Sequence, residues 1–228
     1  MRFTCEKNML VTGLNIASRT VAQKSSISVI EGILCQAKNA LSLTGYNMET
    51  AITYEIEADI ADPGECILPA KLFADIVRRL PEGPVTVVVD DNYKVSIRAG
   101  YASFSISAES AEDYPELPDV SASRSISIPQ LALKEMISGT IFAVAENQGR
   151  PVHMGVKFEV AEDSITAVAV DGFRLARRTY HTQEPNQRQV SFVVPAAGLK
   201  EVEKILSDAE QNVIFSLSPK HILFQIGS

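Results

Sequence analysis

The chain has 228 residues, of which 46% are hydrophobic and 21% charged, a composition that excludes an intrinsically disordered protein. No apolar run reaches the roughly 18–20 residues that a membrane helix needs, and Arg2, Glu6 and Lys7 interrupt any signal-peptide core, so we expect a cytoplasmic protein. The formal net charge is −7, which on its own disfavours a polyanionic partner.

The first half of the chain predicts strands and two helices. A short opening strand precedes a helix over residues 6–19, and strands follow in "SISVIEGILCQA" and "LSLTGYN". A second helix is predicted over residues 69–81, after a proline, because apolar residues recur there at three- and four-residue steps. A hairpin then turns at Asp91-Asn92, and the alternating strand "YASFSIS" follows Gly100.

The second half of the chain repeats the first in the same order, with helices predicted over residues 129–141 and 195–208 and a hairpin near Ser218-Pro219. The difference in residue number between matching positions changes only at loops. The matching positions are Phe3 and Ile126, Asn47 and Asp171, Pro69 and Pro195, and Gly100 and Gly227. We therefore predict one domain used twice, over residues 1–120 and 121–228, joined by the acidic, proline-containing stretch "AESAEDYPELPDVSAS". The counterpart of "YASFSIS" would begin after Gly227, so we expect the second domain to be incomplete at its C-terminus.

The predicted fold class is α+β, because strands outnumber helices and two helices per domain can cover only one side of the sheets. Together the four predicted helices carry a net charge of +2. Since the whole chain carries −7, the remainder of the chain carries −9. This distribution allows one face of the protein to meet a polyanion although the whole chain is acidic.

Catalytic and metal-binding motifs are not apparent. The sequence lacks phosphate-loop, zinc-protease, nucleophile-elbow and dinucleotide-binding motifs, so no cofactor, metal or catalytic residue is predicted. Cys5, Cys35 and Cys66 are spaced too widely for a metal clip and lie among apolar residues, which indicates buried core positions. One alternative is a small hydrolase that uses Asp171 and His153, although no convincing nucleophile and base accompany them.

The segment "VAVDGFRLARR" is the sharpest local motif. Asp171-Gly172 predicts a tight turn after an apolar strand, with Phe173, Arg174 and Leu175 on the strand that follows. One interpretation is an ordinary hairpin with a buried phenylalanine and leucine. The other is a shallow apolar cleft, with Arg174 at its rim, that accepts a short peptide of a partner.

The whole chain resembles the first two domains of the bacterial β sliding clamps, the processivity subunits of DNA polymerase III. The matching segments are "MRFTCEKNML", "LSLTGYNMETAI", "LPAKLFADIVRRLPEG", "SISAESAEDYPELPD", "SISIPQLALKEMISGTIFAVAENQGRPVHMGVKFE" and "VAVDGFRLARR". The resemblance implies a non-catalytic ring of two protomers with three such domains each, closed around duplex DNA, with helices lining the hole and sheets outside. It also implies that a third domain is absent from this chain.

The resemblance implies partners and site residues as well. The partners are duplex DNA, the catalytic subunit of DNA polymerase III, the clamp loader, other proteins with a clamp-binding motif, and a second protomer when the protein is full length. The implied peptide pocket comprises His153, Val170, Gly172, Phe173, Arg174 and Leu175. The implied DNA-contacting residues are Lys24, Lys71, Arg78, Asn147, Arg150, Lys200 and Lys204.

Some positions depart from the family pattern. His153 and Val170 stand where leucine and threonine are familiar in the peptide pocket. Ala196 and Ala197 stand where relatives often have basic residues, so DNA binding by this face is expected to be weaker. The remaining alternative is a structural repeat protein without DNA binding, in which the helices would show no basic bias.

Overall fold

The computed structural model describes residues 1–120, 125–146, 149–186, 189–209 and 211–227. The chain divides into two compact units, Met1–Leu117 and Pro118–Ser228, referred to below as unit 1 and unit 2. In the described parts of both units every strand pairing is antiparallel. No helix in these ranges combines the length and hydrophobicity that a membrane crossing requires.

Unit 1 contains two sheets and two helices. The helices are α1 (Lys7–Ala17) and α2 (Ala70–Arg79). The strands are β1 (Arg2–Glu6), β2 (Gly32–Ala37), β3 (Leu41–Tyr46), β4 (Ala51–Ile56), β5 (Asp59–Asp62), β6 (Gly64–Pro69), β7 (Pro84–Val89), β8 (Lys94–Ala99) and β9 (Ala102–Ser107). Their order is β5-β1-β7-β8-β9 in one sheet and β4-β3-β2-β6 in the other.

Unit 2 repeats this arrangement over its described residues. The helices are α3 (Gln130–Ser138) and α4 (Ala196–Ile205). The strands are β10 (Ser125–Pro129), β11 (Gly155–Val160), β12 (Ser164–Val170), β13 (Leu175–His181), β14 (Val190–Pro195), β15 (Asn212–Leu217) and β16 (Ile222–Ile226). The sheet orders are β10-β15-β16 and β13-β12-β11-β14.

The strand register shows how closely the two units correspond. In unit 1, Leu34 lies opposite both Thr44 and Ile67, and in unit 2, Lys157 lies opposite both Val168 and Val193. These partners differ by offsets of 123, 124 and 126, which are the offsets that the sequence repeat gives for the same segments. The four-stranded sheets of the two units therefore match residue by residue.

The helices pack their apolar stripes on the sheets, as the spacing predicted. The exposed fraction of the side chains in these stripes is at most 1% at Phe73 and Val77 of α2, at Leu133 and Ile137 of α3, and at Leu199 of α4. Each helix is shorter than predicted; α3, for example, ends before Gly139 instead of at Ile141. Residues 28–31, which the sequence placed in a strand, form a 3-10 turn, and strand β2 begins only at Gly32.

Candidate functional site

A four-residue turn joins β12 to β13 and contains the residues that the sequence singled out. The carboxylate of Asp171 organises the turn: Oδ1 accepts hydrogen bonds from the amides of Phe173 and Arg174, both at 3.0 Å. Its Oδ2 accepts a third from Nε of Arg174 at 2.8 Å. Gly172 has φ +94, a conformation that other residues rarely adopt. The tight turn that the sequence predicted at Asp171-Gly172 is thus present, and the Asp171 carboxylate holds it together.

This turn corrects the predicted positions of Phe173 and Arg174. Strand β13 begins at Leu175, which pairs with Val170, so Phe173 and Arg174 lie in the turn and not on the strand. The Phe173 side chain is 100% exposed and Leu175 is 65% exposed, and the interpretation of a hairpin with a buried phenylalanine and leucine is therefore wrong. Exposed apolar side chains at a structured turn are a feature of protein-binding surfaces.

His153 and Val170 lie at the same end of the sheet. His153 is half-buried in the 3-10 turn Pro151–Met154, where its amide donates to the carbonyl of Arg150 and its own carbonyl accepts from Ala145. Val170 is half-buried and is the last residue of β12, where it pairs with Leu175 of β13. On the β11 side, Val168 pairs with Lys157, and extending this register by two residues places Gly155 opposite Val170. The structure thus brings the predicted pocket residues to one sheet end, along with Val152, which is 65% exposed. Sequence reasoning missed Val152, whose only signal is its place beside His153.

The residues implied in DNA contact lie on two helices, α2 and α4, and on loops. Lys71 and Arg78 are exposed two turns apart on one face of α2, and Lys200 and Lys204 are exposed one turn apart on α4. Lys24 and Arg150 are exposed in loops, and Asn147 lies outside the described residues. The helices within their observed bounds hold seven basic and four acidic residues, a net charge of +3, so the basic bias predicted for them is present.

Two of these cations form local ion pairs. Arg78 donates to Asp75 at 3.1 Å and to Asn15 at 2.9 Å, and Lys204 donates to Glu201 at 2.7 Å. Such exposed pairs contribute little to stability, about 0–1 kcal/mol each. Arg78 and Lys204 are thus each held by a carboxylate one turn away on the same helix.

The three cysteines are buried thiols, as predicted, and none is in a disulfide. Burial, with a smaller effect of Glu6, raises the pKa of Cys5 to about 12. A hydrogen bond to Cys66, together with burial, raises the pKa of Cys35. Thiols with raised pKa values are poor nucleophiles and poor metal ligands. In the described ranges no three His, Cys, Asp or Glu side chains are grouped to hold a metal ion.

The pKa of Asp171 provides a test of the turn. The amide of Phe173, helped by Arg174, holds this pKa below its usual value. A depressed folded-state pKa means that the carboxylate stabilises the fold above its unfolded pKa, and that this contribution is lost as pH falls through the folded value. We expect a carboxyl NMR titration to place the Asp171 midpoint below the ordinary value of an aspartate side chain. Asp171→Asn should abolish the titration, and a midpoint at or above the ordinary value would contradict the turn geometry.

Two repeated α+β units of matching register define a tandem-repeat protein, and comparison with known proteins identifies the repeat. Residues 1–118 match the family of the DNA polymerase III beta subunit, N-terminal domain, and residues 127–228 match its central domain. The chain therefore belongs to the DNA polymerase III beta subunit family. The resemblance predicted from the sequence and the α+β fold class are both confirmed.

Relatives and solved structures agree with this assignment. The chain is 31% identical to the beta sliding clamp of Bacillus subtilis over 234 residues, covering 99% of this chain and 62% of that protein. The crystal structure of the Bacillus subtilis sliding clamp has a TM-score of 0.94 at 31% identity, with 99% of this chain and 62% of that chain covered. A Pseudomonas aeruginosa sliding clamp bound to griselimycin gives 0.91 at 30% identity, covering 98% and 61%. The chain thus spans less than two thirds of the length of these relatives.

Proposed function

We propose that this chain is part of a DNA sliding clamp, the non-catalytic processivity factor that holds a replicative DNA polymerase on duplex DNA. The observation that carries the proposal is the presence of two clamp domains in family order, over residues 1–118 and 127–228. The clamp acts in the bacterial cytoplasm as a ring of two protomers around the duplex. A ring that cannot dissociate from closed DNA needs only weak, sequence-independent phosphate contacts, and base readout would stall it.

Partners dock on the outside of unit 2 in this proposal. Phe173, Leu175 and Val152 offer exposed apolar surface at this sheet end, where Val170 and His153 are half-buried. Arg174 is exposed in the same turn as Phe173. The catalytic subunit of the polymerase, the clamp loader and other proteins with a clamp-binding motif would each use a short, partly apolar peptide there. The hydrolase alternative finds no support at Asp171, whose carboxylate already accepts three hydrogen bonds within its own turn.

The topological part of the proposal is tested on circular DNA. We expect ring closure to require the part of the relatives that this chain does not match. A chimera that joins residues 1–228 to the remaining C-terminal part of the Bacillus subtilis relative, loaded by that organism's clamp loader, should stay on nicked circular plasmid through gel filtration and should be released when the plasmid is linearised. The 228-residue chain alone should not be retained. If a correctly assembled chimera stays bound to the plasmid after linearisation, the proposal of a sliding clamp is contradicted.

Lys24 and Arg150 are proposed to contact phosphates. The 228-residue chain should bind linear duplex weakly, with a dissociation constant of about 10⁻⁴ M or weaker at physiological salt. Replacing both residues by alanine should weaken binding to unrelated sequences by similar factors and lower the salt slope by about 0.9 per lost contact, measured by fluorescence anisotropy. Lys38→Ala with Lys220→Ala, which removes the same charge from two other exposed loops, is the control. Equal effects of both pairs, or a strong sequence preference, would exclude the assignment.

A further inference from the structure

Two of the three cysteines face each other in the core of unit 1. Cys35 of β2 and Cys66 of β6 are partners in the antiparallel register of these strands, and both side chains are 0% exposed. Their thiols form a hydrogen bond with each other. The proposed function makes no use of this pair. We call Cys35 and Cys66 the buried dithiol of unit 1.

The backbone pairing places the two cysteines at a separation that a disulfide can span. Glu109 exchanges two hydrogen bonds of 2.9 Å with Ile67 on the outer side of β6, so the amide and carbonyl of Ile67 point away from β2. Because these directions alternate along a strand, those of Cys66 point towards Cys35, and such a hydrogen-bonded pair has Cα atoms about 5.5 Å apart. A disulfide needs a Cα separation of about 4.4–6.8 Å. The two residues can therefore be joined without a change of register.

The side-chain geometry predicts that this disulfide is strained. Facing Cβ atoms of an antiparallel pair lie about 4.5–5.5 Å apart, and those of hydrogen-bonded pairs are the more distant ones. A disulfide holds its two Cβ atoms about 3.5–4.5 Å apart, so bond formation draws β2 and β6 together at this point. Strained disulfides are easily reduced and are of the labile, regulatory kind.

Access to the buried dithiol depends on strand β6, which lies at the edge of its sheet. Within the described residues of unit 1, β6 pairs with β2 on one side and has the single bridge to Glu109 on the other. Residues 109–113, which carry this bridge, are exposed or half-buried. An edge strand with so few contacts opens locally at a lower free energy than the whole unit unfolds. A small oxidant therefore meets the two thiols when β6 opens, although neither contacts solvent in the closed sheet.

We propose that the buried dithiol is a modification site at which hydrogen peroxide forms a reversible disulfide between Cys35 and Cys66. In the opened strand the thiolate of one cysteine attacks the peroxide, whose O–O bond breaks, and a sulfenic acid and water form. The second thiol attacks the sulfenic sulfur and releases a second water. In total two S–H bonds and one O–O bond break, and one S–S bond and two O–H bonds form. The two sulfurs lose two electrons, which the peroxide gains.

The crosslink fastens the edge strand that leads directly into α2, which begins at Ala70. Opening of β6 is the motion that the crosslink prevents, so the amides of Cys66 and Leu68 report on it. We expect their hydrogen exchange to be at least about tenfold slower in the oxidised protein than in the reduced protein.

The 228-residue protein, treated with excess hydrogen peroxide, alkylated and digested, provides the test by mass spectrometry. We expect a crosslinked peptide pair that contains Cys35 and Cys66, with Cys5 recovered as an alkylated thiol, and full reversal by dithiothreitol. Cys5→Ala is the matched control and should form the same crosslink, because Cys5 is also buried but lies on β1 in the other sheet. Cys66→Ala should form no disulfide.

A second pair of variants tests the route through the edge of the sheet. Glu109→Pro removes the amide that donates to Ile67, and should speed crosslinking at least about fivefold, since one of the two bonds of the bridge is lost. Glu109→Ala keeps that amide and removes the same side chain, so its rate should stay within about twofold of the unchanged protein.

Four outcomes would overturn the proposal. The first is that Cys35 and Cys66 stay reduced in peroxide although a small alkylating agent modifies them under the same conditions. The second is that crosslinks join Cys5 to either partner or join two molecules. The third is that the product resists dithiothreitol, which would indicate oxidation beyond the disulfide. The fourth is that crosslinking is no faster than global unfolding of unit 1 and is unchanged in Glu109→Pro, which would mean that the edge strand does not open by itself. None of these outcomes bears on the proposed function.

Discussion

Phe215→Ala is expected to lower the free energy of unfolding of unit 2 by about 3–5 kcal/mol, the usual cost of removing a buried phenylalanine. Phe215 is 1% exposed and forms the middle of an aromatic row that joins the two sheets of the unit. Its ring centre lies 5.9 Å from that of Phe192 and 5.8 Å from that of Phe224, and Phe192 stacks on Phe158 at 5.6 Å. Truncation leaves a cavity between the sheets and removes two aromatic contacts.

Phe173→Ala is the matched control, since it makes the same chemical change at a side chain that is fully exposed. Its free energy of unfolding should stay within about 0.5 kcal/mol of the unchanged protein. Urea unfolding followed by circular dichroism, with NMR signals assigned to each unit, separates the loss in unit 2 from the behaviour of unit 1. Similar losses for both variants would mean that the aromatic row does not hold the sheets together.

Much of the fold could be predicted because the sequence contains two copies of the same domain. A strand or helix that is ambiguous in one half, such as the opening strand at Phe3, is supported by its counterpart at Ile126. Prolines at 69, 129 and 195 mark helix starts, and α2, α3 and α4 begin one residue after them. Periodicity identified the buried faces of these helices because burial follows the 3.6-residue repeat closely.

The candidate site was predicted less completely, because its geometry depends on a side chain bonding to its own backbone. Sequence reasoning placed Phe173 on a strand, where alternation would set its direction. The Asp171 carboxylate instead holds the next residues in a turn and exposes the ring. The smaller hydrophobic cluster of unit 1, formed by Ile30, Tyr46, Ile67 and Tyr114, was missed for a different reason. Its residues come from separate segments, and Tyr114 belongs to residues 109–114, which sequence analysis treated only as a linker.

The sequence did not show that two of the cations on the helices are paired with carboxylates. It counted Arg78 and Lys204 as candidates for DNA contact, yet each donates to an acidic neighbour one turn away, Asp75 and Glu201. Spacing of three residues on a helix permits such pairs, but only coordinates show that they form. Paired cations of this kind are consistent with the weak phosphate contacts proposed above.

Leu175→Asp is expected to reduce the affinity of a polymerase-derived clamp-binding peptide by at least about tenfold. Leu175 is 65% exposed, pairs with Val170 across the sheet end and directly follows the turn that presents Phe173. A peptide anchor that covers it would bury apolar surface worth about 1.5–3 kcal/mol per large side chain, and a carboxylate at this position would have to lose its hydration instead. The backbone of β13 needs no change, so the fold should be retained.

Leu223→Asp is the matched control for this prediction, because Leu223 is an exposed leucine, at 40%, on the other sheet of unit 2. Titration of a labelled peptide should give unchanged affinity for this variant and a loss for Leu175→Asp. His153→Leu should act in the opposite direction and strengthen binding of peptides with aliphatic anchors, since it replaces a half-buried polar group of the proposed site. Equal affinities for all three variants, with peptide-induced shifts far from residues 153 and 170–175, would place the partner site elsewhere on the chain. A loss at Leu175 together with a gain at His153 is expected only if both residues line one peptide-binding surface.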